Sequence, residues 1–112
     1  MKKTIRICSR EWDLKLDPKM TGGEFNTYYP DGKGTITIGT KWKKPEFRHQ
    51  VLLHEILEAV LVVDVKRYKV EKNNEETSYL FVFDHEYLED LAIKLLDALL
   101  SCGLIKRNDG KR

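Results

Sequence analysis

The chain reads as an α+β protein, a small and mainly antiparallel sheet packed beside two helices. Three features point there. The first 40 residues alternate apolar and polar with a period of two, as half-buried strands do. Residues 46–64 and 88–100 carry apolar residues at helical spacing. Pro, Gly, Asn and Asp cluster between these segments, where turns need them. At 112 residues the chain is expected to form one domain over 1–103, with 104–112 as a polar tail.

Ile5 and Ile7 share one face of "TIRIC", and Trp12, Leu14 and Leu16 share one face of "EWDLKL". Ser9-Arg10 between them is short enough for a hairpin turn, although neither residue is a favoured turn type. "DPKMTGG" breaks the pattern, and "EFNTYY" and "TITIG" then flank the turn signal "PDGKG". Four strands follow from this. Pro45 starts a helix that runs to about Asp64. Its apolar stripe is Val51, Leu53, Leu57, Val60 and Leu61, widened by Leu52, Ile56 and Val63. "RYKVEKNNEETSYLFVF" is split by Asn73-Asn74 into the two arms of a hairpin. Asp84 is the N-cap of a second helix whose apolar face is Leu88, Leu91, Ala92, Leu95, Leu96, Leu99 and Leu100. Gly103 ends it.

Composition narrows the function classes. The net charge is +2 and charges of both signs are interspersed, so no one-signed face marks a nucleic-acid binder. The basic cluster Lys41, Lys43, Lys44 and Arg48 reads as a solvated surface. Cys8 and Cys102 belong to no C-x-x-C pair and are expected to be free thiols, not zinc ligands. The first residues lack the apolar stretch of a signal peptide, and no apolar run is long enough for a bilayer. A cytoplasmic protein with no membrane and no nucleic-acid partner is the expectation.

The chemistry sits in "LLHEILEAVLVV". His54 and Glu58 are four residues apart, which stacks them on one helix face, where two donors can grip one ion. Glu55 lies about 100° round the helix, the offset from which a carboxylate reaches a metal-activated water as general base. His49 is off the face by roughly 140°, so His85 at the start of the second helix is the candidate third ligand, with Glu89 in reserve. Two histidines and one glutamate with an open position form the ligand inventory of a hydrolytic Zn2+ site. With packed antiparallel helices, the start of the second would lie beside the middle of the first. A metal-stabilised module that binds a partner without catalysis uses the same residues. A metal-free module would instead use exposed Tyr28, Tyr29 and Trp42.

These motifs, in this order, resemble the small phage- and prophage-encoded proteins with an H-E-x-x-H or H-E-x-x-E helix, treated as minimal zincin-like metallopeptidases. The resemblance spans roughly residues 2–102 and rests on "GGEFNTYYPDGKGTITIGTKW", "LLHEILEAV" and "DHEYLEDLAIKLLDAL". It implies a zincin-like core with metal held between the helices by His54, Glu58 and His85. Glu58 departs from the H-E-x-x-H pattern, and the spacer between the helices is longer than the group usually has. The expected activity is that of a zinc-dependent hydrolase on a peptide or protein, with "TITIG" offering a strand edge for β-augmentation. Tyr68 and Tyr79 are the candidate donors to an oxyanion.

Overall fold

The structure is a computed structural model, and it describes residues 2–27, 33–41, 44–71 and 77–106. Along the chain stand β1 (Thr4–Ile7), β2 (Arg10–Asp17), β3 (Gly23–Asn26), β4 (Thr35–Gly39) and α1 (Pro45–Val63). After them come β5 (Arg67–Glu71), β6 (Thr77–Phe81) and α2 (His85–Ser101). The expected α+β architecture is present: two helices, a four-stranded sheet and a two-stranded one. Most of the "PDGKG" turn, Asn73-Asn74, Tyr28, Tyr29, Trp42 and Lys43 lie outside the described residues.

The larger sheet has the order β1-β2-β4-β3. β1 pairs antiparallel with β2, with Ile5 opposite Trp12 and Ile7 opposite Arg10. That register leaves Cys8-Ser9, not Ser9-Arg10, as the two-residue turn. Both turn residues take positive φ, 50° and 67°, which matches the type I′ geometry that closes a twisted hairpin. β2 pairs parallel with β4, and β3 pairs antiparallel with β4. "TITIG" is therefore an interior strand, and the free edge beside it belongs to β3. The edge for β-augmentation must be sought there.

The core lies between one face of this sheet and the helices. Ile5, Ile7, Trp12, Leu14, Ile36 and Ile38 meet Leu52, Ile56, Ala59 and Val60 of α1 and Leu91, Ala98 and Leu99 of α2. Leu16, expected on the buried face of β2, is exposed, as are Leu53 and Val63 on α1. The buried face of α1 is thus turned toward Leu52, Ile56 and Ala59. On α2, Leu88 and Leu96 are half exposed, because the sheet covers only part of its broad apolar arc.

Both helix starts form as the sequence expects. Pro45 sits in the first turn of α1, where its missing N–H costs nothing. Asp84 caps α2 by accepting a hydrogen bond from the Tyr87 backbone N–H at 2.9 Å. Gly103 follows α2 at φ 82°, a left-handed position that suits glycine. The packed chain continues past it: Leu104 rests against the core, and the Ile105 N–H donates to the Leu99 carbonyl.

Candidate functional site

α1 lays its N-terminal half against β3. The approach is close because Gly23 has no side chain: a Cβ there would stand 2.5 Å from Val51 Cγ1 and 3.0 Å from Glu55 Cγ. Between the two elements runs a groove of about 620 Å³, lined by Thr21, Gly23, Phe47, Val51, His54 and Glu55 among others. His54 and Glu55 stand along its wall.

The structure brings three of the expected residues together. His54 Nε2 lies 3.3 Å from Glu58 Oε1 and 3.9 Å from Glu55 Oε2. The first distance is informative. Zinc–ligand bonds of 2.0–2.2 Å in a tetrahedron place neighbouring donor atoms about 3.4 Å apart. The His54–Glu58 spacing is the direct contact of an i, i+4 ion pair, and it is also the spacing that two corners of such a site would need. Glu55 stands farther back, at a distance suited to a group that acts through water.

Glu55 is only 6% exposed, although it carries a carboxyl group. It follows Leu52 by three residues and precedes Ala59 by four, so it shares the buried stripe. Burial pushes its pKa above the ordinary 4.5; His54 works against that rise, while Glu58 and Glu24 add to it. A carboxylate raised in this way is a better proton acceptor near neutral pH than an exposed one.

His85 is placed elsewhere. It is exposed and opens α2. Two residues on, the Tyr87 hydroxyl donates to Asp64 Oδ2 at the end of α1. Asp64 is ten residues beyond His54, about 15 Å along the helix axis. The start of α2 therefore lies by the end of α1, where the sequence suggested its middle. Among the described residues, no three His, Cys, Asp or Glu side chains gather into a group that could hold a metal ion. His54 and Glu58 are two donors only, and the third corner expected of His85 is not beside them. Glu89, the reserve, is exposed on the same helix as His85.

Sequence reasoning did not single out Arg67, at the base of the β5–β6 hairpin. Its Nη1 lies 3.7 Å from Glu58 Oε2, and its guanidinium stacks 4.0 Å from the Tyr79 ring centre and 5.7 Å from that of Phe25 on β3. Nothing in the local sequence marks it, since its position follows from hairpin register and tertiary approach. Gly23 did carry a signal: a glycine doublet opening a strand marks close backbone approach. Both cysteines are free, as expected, and the half-buried Cys8 thiol is pushed up to about 11 by burial and by Asp64.

Comparison with protein-family models, curated proteins and solved structures finds no match for this chain. Among the described residues, no helix is long and apolar enough to cross a membrane.

Proposed function

We propose that the protein is a zinc-dependent hydrolase of the zincin-like metallopeptidase type, acting on an extended peptide in the cytoplasm of a phage-infected or prophage-bearing cell. One observation carries the reading: a pair of donor atoms at tetrahedral spacing, with a buried carboxylate behind them, in a groove beside an open strand edge. His54 and Glu58 would hold the ion. Zinc, when bound, supplies Lewis acidity and acidifies water towards neutral pH. The free edge of β3 pairs with substrate backbone, the groove wall from Phe47 to Val51 takes a side chain, and Glu55 accepts the proton released by the attacking water. The sequence offers His85 as the third donor, but α2 begins at the far end of α1, tied there by the Tyr87–Asp64 hydrogen bond, so this reading leaves the remaining corners to water and substrate.

Elemental analysis of protein purified without added metal tests this, repeated on His54→Ala and His85→Ala. The expected result is one zinc per chain in the parent and in His85→Ala, and loss in His54→Ala. Loss of zinc in His85→Ala would bring that residue into the site. Zinc absent from all three ends the proposal. Glu55→Gln should keep the metal and lose hydrolysis of a fluorogenic peptide set.

A second reading, a non-catalytic interaction module, is favoured by a different observation. Tyr68, Leu80 and Val82 on the hairpin and Leu88, Ile93 and Leu96 on α2 are large apolar residues left between 48% and 62% exposed. Large apolar side chains left exposed on a hairpin and on a helix face are the material of protein contact surfaces.

A further inference from the structure

We infer that Arg67 is a positioning residue: it holds one oxygen of the Glu58 carboxylate and so keeps the other turned to His54. The inference rests on the proposed reading of His54 and Glu58 as metal donors, and its test separates the two.

Glu58 divides its carboxylate between two partners. Oε1 lies 3.3 Å from His54 Nε2, and Oε2 lies 3.7 Å from Arg67 Nη1. The His54 contact is local, since residues four apart on a helix are neighbours. The Arg67 contact comes from outside α1, from the first residue of β5. Burial alone does not fix the carboxylate, because the Glu58 side chain is 25% exposed. An unheld glutamate distributes over several rotamers, and only some of them aim an oxygen at His54.

Arg67 can do the holding because it is itself held. It stands opposite Phe81 in the β5–β6 register, and Tyr79 is its diagonal neighbour on the same face. Its guanidinium lies 4.0 Å from the Tyr79 ring centre and 5.7 Å from that of Phe25. Two rings from two different strands limit where a planar cation can go. At 3.7 Å the contact with Oε2 is Coulombic and not a hydrogen bond, so it selects among Glu58 rotamers and leaves Oε1 free for His54.

A carboxylate can meet a metal ion through one oxygen or through both. With Oε2 facing Arg67, Glu58 offers Oε1 alone, the oxygen beside His54. Partners that hold a ligating carboxylate in this way are costly to lose. Arg67 also has an opposing effect. It is a cation beside a site for another cation, and repulsion alone would make its removal tighten metal binding. Water screens that repulsion at a partly exposed site, whereas the choice of rotamer is not screened. Orientation therefore outweighs repulsion, and the sign of the change tells the two apart.

Zinc chloride is titrated into the metal-stripped full chain by isothermal calorimetry. Arg67→Gln is expected to weaken zinc binding about tenfold. Arg67→Lys keeps the charge without the planar fork and should recover part of that loss. Lys69→Gln removes a positive charge from an exposed position on the same strand and should leave the affinity unchanged. Circular dichroism and urea midpoints show whether each variant is folded. If Arg67→Gln does not fold, Tyr79→Leu carries the test: it frees the guanidinium, keeps its charge and should weaken binding. Affinity that is unchanged or tightened in the variant carrying the test overturns the positioning role and leaves the zinc site standing. An equal loss in Lys69→Gln also overturns it, because the effect is then not particular to the residue at Glu58. Absence of zinc binding by the parent removes the site itself, and the positioning role with it.

Discussion

Glu55 serves the core and the site at once, and its titration exposes the conflict. The native state holds its proton more tightly than the unfolded chain, because burial disfavours the anion. Below the ordinary value of 4.5 both states are protonated and the group costs nothing. As pH rises from there to the raised native value, the unfolded chain releases its proton first, and stability falls. Above that window the loss is constant. Glu55→Gln does not titrate, so it should be more stable than the parent at pH 7.5, and the difference should vanish near pH 4. Urea midpoints at the two pH values measure this. A variant less stable than the parent at pH 7.5 would show that the carboxylate is held by favourable contacts. The pairing of Glu55 with His54 and Glu58 was legible from spacing alone, since one helix fixes it. The Leu52-Glu55-Ala59 spacing that buries the carboxyl was equally present in the sequence and is read only with the core in view. Arg67 could not be read at all, because three separate elements place it.

The joint between the two helices is a polar one, made at Asp64. Burial would raise this carboxyl, but hydrogen bonds from Lys94 and Tyr87 outweigh it and hold it below the ordinary 3.8. Burial and the hydrogen bond to Asp64 together push Tyr87 upward; on Lys94 burial works downward, and the bonds to Asp64 and Asp90 outweigh it and push it upward. A carboxyl lowered in the native state stabilises above its unfolded pKa, and that contribution is lost as pH falls through the native value. Asp64→Asn should therefore cost roughly 1–3 kcal/mol at pH 7 and little below pH 3, read as a shift in urea midpoint. An unchanged midpoint at pH 7 would mean that apolar packing alone joins the helices. This joint explains where sequence reading stopped. Caps and turns are local, so Asp84, Gly103 and the break at "DPKMTGG" were legible. The register of α2 against α1 depends on a bond between residues 23 apart, and no periodicity encodes it. The β1–β2 turn fell one residue short for a related reason. Cys8 and Ser9 pay the cost of positive φ because Ile5 and Trp12 must face each other.

The β5–β6 hairpin stands apart from the energetics of the rest of the protein. Among the described residues, none of the buried core lies between 67 and 81. The hairpin closes at its own base, where the Val82 N–H donates to the Lys66 carbonyl at 2.9 Å, so the chain leaves and returns at one point. Among the described residues its side-chain ties to the body are the approach of Arg67 to Phe25 and its ion pair to Glu58, contacts worth little in stability at a partly exposed site. Replacing residues 67–81 by an Asn-Gly turn should therefore leave a folded domain with a single cooperative thermal transition, lowered by no more than a few degrees. The same excision removes Arg67 and the exposed Tyr68 and Leu80. It should reduce association through these apolar side chains, measured by light scattering. Loss of the cooperative transition would show that the hairpin is part of the folding unit. In that case the spacer is structural, and Arg67 with its pair to Glu58 is one of the contacts that make it so.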